Sequence, residues 1–119
     1  MAAISRLEPG DRYSRVVIHN GTAYFSGLTA DDRGGDVSSQ TEQVLAKADE
    51  LLAKVGTGRA NLLSATIWLS DIGDFADMNA VWERWIDREN PPARATVEGR
   101  LAAADLRLEI QFIAAVDGR

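Results

Sequence analysis

Two stretches of this 119-residue chain place apolar side chains at every second position, the first of them in strict alternation with a period of two. In NLLSATIWLSD, Leu63, Ala65, Ile67 and Leu69 alternate with Ser64, Thr66, Trp68 and Ser70. In LRLEIQFIAAV, Leu106, Leu108, Ile110, Phe112 and Ala114 share one face. Successive residues of a strand point to opposite sides, so each stretch predicts a strand with one buried face. The apolar faces need cover, and two helical stripes can supply it. Ser39 opens the first helix, with Glu42 three residues on in a capping-box position. Val44, Leu45, Ala48, Leu51, Leu52 and Val55 line one side of it, and Gly56 stops it. Asp74 can cap a second helix with Phe75, Met78, Trp82, Trp85 and Ile86 on its apolar side. Pro91-Pro92, with Asn90 before them, end that helix by about there.

The remaining segments complete an order. RYSRVVIHNGTAYFSG holds two short apolar runs around Asn20-Gly21, a dipeptide suited to the positive φ angles of a tight hairpin. TADDRGGDVSS is polar and glycine-bearing and reads as a mobile loop. ARATVEGR is a short strand. The order is ββαβαββ, an α+β domain spanning 1–119, with both helices on one face of a mixed sheet. The other sheet face then carries Ser64, Thr66, Trp68, Arg107, Glu109, Gln111, Ile113 and Ala115. Trp68 and Ile113 are costly to leave in water, and a mixed face of this kind suits a subunit interface.

Composition removes several classes of function. No apolar run is long enough for a membrane helix, and MAAISRLEPGDR lacks the layout of a secretory signal. There is no cysteine, which excludes thiolate catalysis and thiolate metal sites and fits a cytoplasmic chain. The net charge of −5 argues against nucleic-acid or anionic-membrane partners. His19, the one histidine, sits beside the hairpin turn and reads as a turn residue, so no zinc site is expected. Phosphate-binding and dinucleotide-binding glycine patterns are absent, and Trp82 and Trp85 match the core stripe of their helix.

Two charges in strand-like segments are left over, Arg94 and Glu109. An arginine at a strand start offers a planar fork to a carboxylate, and a glutamate nearby can take a proton from water. Spacing alone favours the plainer alternative, a cross-strand salt bridge of little worth if exposed.

The stretches RYSRVVIHNG, YFSGLTA, DFADMNAVWERW, PPARATVE and LEIQFIAA together resemble the Rid family of reactive intermediate deaminases (RidA/YjgF-type), nearest its YoaB-like branch. The resemblance implies a chorismate-mutase-like fold assembled as a homotrimer, with sites in the clefts between subunits. It implies hydrolysis of 2-imino acids to 2-keto acids and ammonia without a cofactor or metal. On this chain Arg94 matches the arginine that binds the substrate carboxylate, and Glu109 the glutamate associated with the attacking water. Tyr13, Ser26, Gly27 and Asn79 match residues bordering the pocket, and Thr96 falls where many members carry cysteine. Departures from the RidA pattern at Asp11-Arg12, Leu28 and Gln111 are expected around the pocket entrance. The alternative on the same fold is a non-catalytic module that binds a small carboxylate or a partner protein.

Overall fold

In the computed structural model, which describes residues 3–117, the two alternating segments lie side by side in the interior of a six-stranded sheet. The elements in chain order are β1 (Ser5–Pro9), β2 (Ser14–His19), β3 (Thr22–Phe25), α1 (Val37–Lys54), β4 (Leu62–Leu69), α2 (Phe75–Trp85), β5 (Ala93–Glu98) and β6 (Leu108–Ala115). The sheet order is β1-β2-β3-β6-β4-β5. Only the β4–β5 pair is parallel, so the expected mixed sheet with two helices is present. Residues 1–2 and 118–119 of the expected domain lie outside the described residues.

The core forms where the alternation required it. Val16, Ile18, Ala23, Phe25, Ala65, Ile67, Leu69, Leu108, Ile110, Phe112 and Ala114 pack against Val44, Leu45, Ala48 and Leu52 of α1 and Met78, Val81 and Trp82 of α2. Phe112 is its hub. Trp82 stacks on it at 6.1 Å and 7°, and Phe25 meets it edge-on at 6.4 Å and 75°. Such pairs add roughly 1 kcal/mol beyond area burial. The Trp85 indole nitrogen donates to Asp49 Oδ2 at 3.0 Å, so its polar atom is satisfied inside the helix pair.

Several local expectations need correction. A further strand, β1, precedes the hairpin and is held mainly by backbone pairing to β2. In β4 the alternation slips at its start: Leu62 is buried and Leu63 is 49% exposed, because the pairing with β6 shifts between Leu62 and Ser64. Such a bulge inserts one residue and reverses sidedness behind it. Helix α1 is capped by Asp36, whose carboxylate accepts from the Ser39 N–H at 2.9 Å, so the helix begins before the expected Ser39. Its other end is as expected. Gly56 takes φ 78°, and the Gly56 and Thr57 N–H groups donate to the carbonyls of Ala53 and Leu52. Asp74 does not cap α2 with its side chain. Its Oδ2 lies 3.5 Å from Nε of Arg107, which precedes β6 rather than lying on the open strand face. Helix α2 ends at Trp85, ahead of the prolines.

The segment between β3 and α1 is tied down rather than loose. Gln43 bonds Asp32 twice, accepting from its N–H at 3.0 Å and donating to its carbonyl at 2.9 Å. Lys47 donates to the Thr29 carbonyl at 2.6 Å. Gln40, fully buried, donates to the carbonyls of Arg33 and Asp105 and accepts from the Arg107 N–H at 2.8 Å. Burying an amide costs several kcal/mol unless its hydrogen bonds are made, and here three partners answer it. Replacing Gln40 by leucine keeps the volume but strands three backbone groups. Gln40→Leu is expected to cost about 2 kcal/mol or more, read from urea unfolding, whereas a peripheral role would leave the midpoint unchanged.

Candidate functional site

Sheet parity decides where each candidate residue lies. Along β5, Arg94 pairs with Ala65 and Thr96 with Ile67, both core residues, so the two side chains lie on the helix side of the sheet. Along β6, Glu109 pairs with Trp68 between the buried Leu108 and Ile110, which places it on the open side. Within one chain Arg94 and Glu109 therefore occupy opposite faces. The cross-strand salt bridge that spacing favoured is absent.

On the helix side, Arg94 is held by α2. Its Nη1 donates to Asn79 Oδ1 at 2.8 Å, and Asn79 Nδ2 donates to Glu83 Oε1 at 3.2 Å. Residues four apart on a helix share one face, so α2 presents Asn79 and Glu83 as a linked pair. The guanidinium carbon stands 5.3 Å from the Trp82 ring and 5.8 Å from that of Phe75, within cation–π range. Burial pushes the Arg94 guanidinium below its ordinary pKa, and the Glu83 charge opposes that shift. No carboxylate among the described residues forms an ion pair with Arg94. Close by in sequence, the Thr96 hydroxyl is buried without a hydrogen-bond partner.

On the open side, Tyr13, Ser26, Gly27 and Glu109 share a cleft of about 320 Å³, completed by Thr29, Arg33, Ala102 and Leu106. The Ser26 N–H donates to the Arg15 carbonyl at 2.8 Å, while its hydroxyl is buried and unpartnered. Gly27 gives Glu109 its place. A Cβ on residue 27 would collide with Glu109 Oε2 and stand 2.8 Å from its Cδ. The φ of Gly27 is not positive, so the reason for glycine is this close approach and not the backbone.

The seven site candidates thus divide into two groups that do not meet in one chain: Arg94, Asn79 and Thr96 on one side, and Tyr13, Ser26, Gly27 and Glu109 on the other. Asn79 serves Arg94 directly. Phe75, expected in the core, is 39% exposed beside the guanidinium. Leu28, expected at the pocket entrance, is fully buried in the core, so its side chain cannot shape the cleft. Gln111 donates to the Phe25 carbonyl at 3.1 Å, a bond that a carboxylate could not make. Sequence reasoning missed Glu83 and Arg33. The four-residue spacing from Asn79 could have found Glu83; no local pattern signals Arg33.

The contact at residue 27 is directly testable. In Gly27→Ala the fold should persist while the Glu109 carboxylate swings away from residue 27, as a crystal structure of the variant would reveal. An unmoved carboxylate would show that the backbone at residue 27 yields instead.

Comparison with known proteins gives one answer. The family model described as Endoribonuclease L-PSP matches residues 3–116. A RutC family protein of Haemophilus influenzae is 44% identical over 115 residues, covering 93% of this chain and 97% of that protein. The RutC family protein YoaB of Escherichia coli is 39% identical over 113 residues, covering 95% and 98%. The crystal structure of a YjgF family member from Neisseria meningitidis superposes with a TM-score of 0.94 at 39% identity, covering 98% of each chain. With its sheet order, its helices and nearly all of its length accounted for in this way, the chain belongs to the RidA/YjgF family.

Proposed function

We propose that the chain hydrolyses reactive 2-imino acids, and their enamine tautomers, to 2-keto acids and ammonia without a cofactor, at sites shared between subunits of a homotrimer. The observation that carries this reading is the Arg94 guanidinium: partly desolvated, oriented by Asn79 and flanked by two aromatic rings, it forms no ion pair with a carboxylate among the described residues. Such a fork is suited to the carboxylate of a small organic acid. Family membership favours the same chemistry.

In this mechanism Arg94 fixes the substrate carboxylate and so orients the C=N bond. The imine carbon is electrophilic, more so when protonated, and needs no covalent nucleophile. Glu109 of the facing subunit positions one water and accepts its proton as the oxygen adds to carbon. The resulting tetrahedral carbinolamine expels ammonia when the amine takes a proton, for which protonated Glu109 is the source. As the C–N bond breaks, the carbinolamine hydroxyl gives its proton back to the Glu109 carboxylate, and the oxygen stays as the new keto group.

The same geometry favours assembly. Arg94 and Glu109 lie on opposite faces, so a site that uses both, as this mechanism does, needs two copies of the chain. The open face supports such an assembly. Val17, Tyr24, Ile113 and Ser64 form a row across four strands, and Tyr24 is 47% and Val97 45% exposed in a single chain. The family description names an endoribonuclease, but a net charge of −5 provides little attraction for a phosphate backbone. No described helix is long and apolar enough to cross a membrane.

A coupled assay tests the chemistry. An amino-acid oxidase or dehydratase generates 2-iminopropanoate or 2-iminobutanoate, and semicarbazide traps what is not hydrolysed. The wild-type protein should suppress semicarbazone formation, and Glu109→Gln should lose about 10²-fold or more in kcat/KM. Arg94→Ala should lose suppression as well. No suppression by wild type across several parent amino acids would overturn the reading in favour of a binding module.

Mixing tests the shared site. Arg94→Ala and Glu109→Gln, each inactive alone, should regain part of the activity when co-refolded, because some interfaces then pair an intact Arg94 with an intact Glu109. Mixtures as inactive as either variant would overturn the shared site.

A further inference from the structure

The cleft around Glu109 holds a cation for which imine hydrolysis has no use. Arg33 lines it beside Ser26, Gly27, Thr29 and Glu109. Its placement is built from behind. The buried Gln40 donates to the Arg33 carbonyl at 3.3 Å and to the Asp105 carbonyl at 3.0 Å, clamping the loop before α1 to the segment before β6. The Gly34 N–H donates to the Asp32 carboxylate at 3.0 Å, and Gln43 holds Asp32 from the helix. A surface arginine on an untethered loop would have no such support.

The side chain itself is only lightly engaged. Arg33 Nη1 meets Asp105 Oδ1 at 3.2 Å, with the two side chains 41% and 61% exposed. An exposed contact of this kind is weak, and through one nitrogen it leaves the rest of the guanidinium fork available to an anion. The charge also matters by sign. A second carboxylate entering this cleft would meet Glu109 and Asp105, both repulsive, and Arg33 is the one cation among the cleft-lining residues able to offset them.

We propose that Arg33 is a specificity-determining residue, giving the cleft a preference for substrates with a second acidic group: the imines of dicarboxylic amino acids. The inference rests on the hydrolytic reading above. Arg94 of one subunit takes the carboxylate next to the imine, Arg33 of the facing subunit takes the distal one, and the imine carbon is presented to Glu109 between them. A monocarboxylic substrate leaves Arg33 on Asp105 and gains nothing from it.

Two measurements on the full-length assembled protein separate this inference from the reading beneath it. The first compares kcat/KM for 2-iminoglutarate, generated by a glutamate oxidase, with that for 2-iminobutanoate. The second compares Kd for 2-oxoglutarate and 2-oxobutanoate by calorimetry and needs no turnover. Wild type should favour the dicarboxylic member of each pair by about tenfold, the share of one charge-assisted hydrogen bond. Both ratios should collapse in Arg33→Ala, reverse in Arg33→Glu, survive in part in Arg33→Lys, and shrink as salt rises. Turnover of 2-iminobutanoate with no dicarboxylic preference, or a preference that Arg33→Ala leaves intact, would overturn the role of Arg33 while hydrolysis stands. An Arg33-dependent Kd ratio without turnover of either imine would overturn hydrolysis while Arg33 stands. Neither binding nor turnover would overturn both.

Discussion

Trp82 stacked on Phe112 joins three parts of this protein through a single contact. Phe112 belongs to the central strand β6 and is fully buried; Trp82 belongs to α2 and is 6% exposed. Their stacking sets how α2 lies across the sheet. The same indole carries the Arg94 guanidinium at 5.3 Å, and the same helix supplies Asn79 to hold it. Core packing and the aim of the Arg94 guanidinium are thus one mechanical problem. Side chains in a close-packed interior transmit small displacements, so the position of Arg94 inherits the precision of the aromatic hub.

The open side of the sheet is organised by a different kind of interaction. There the positions of Glu109 and Arg33 depend on backbone contacts and on one buried amide. Glu109 lies against Gly27, and Gln40 reaches from α1 to both loops that frame the cleft. Buried polar groups that are fully satisfied rigidify their surroundings, whereas partly satisfied ones are costly. Gln40 falls in the first class. Helix α1 therefore contributes to the cleft without lining it.

How much of this was legible from residues alone varied with the range of the determinants. Alternation from Ala65 to Leu69 and from Leu108 to Ala114 announced the central strands, and Asn20-Gly21 announced the hairpin, because each signal is local. Leu62 and Leu63 could not be told apart: two leucines in succession fit either parity, and the bulge is set by the partner strand. Strand β1 offered no alternation, since only Leu7 of its five residues is even half-buried. The capping-box spacing of Ser39 and Glu42 points to the wrong start, because Asp36 is as competent a cap by chemistry and its carboxylate reaches the Ser39 N–H. The identities of Arg94 and Glu109 as site candidates could be read, helped by family resemblance. Their separation onto opposite faces could not, because it depends on the registers of β5 and β6 against β4. The tethering of the loop around Arg33 was hidden for a related reason. Its anchors, Gln40, Gln43 and Lys47, look like ordinary polar positions of a helix.

The approach of Gly27 to Glu109 makes these two positions a single unit of variation. The backbone at residue 27 would accept a side chain, and what forbids it is the length of the one at residue 109. Shortening residue 109 would release residue 27 from being glycine, and the space vacated by the carboxylate could be filled from the opposite strand. Restoring glutamate afterwards would then require glycine to return first. A lineage that gave up this carboxylate would therefore find the way back obstructed by a change elsewhere. The pairing of glycine at 27 with glutamate at 109 becomes a marker, readable in a bare sequence, of whether the carboxylate keeps its place.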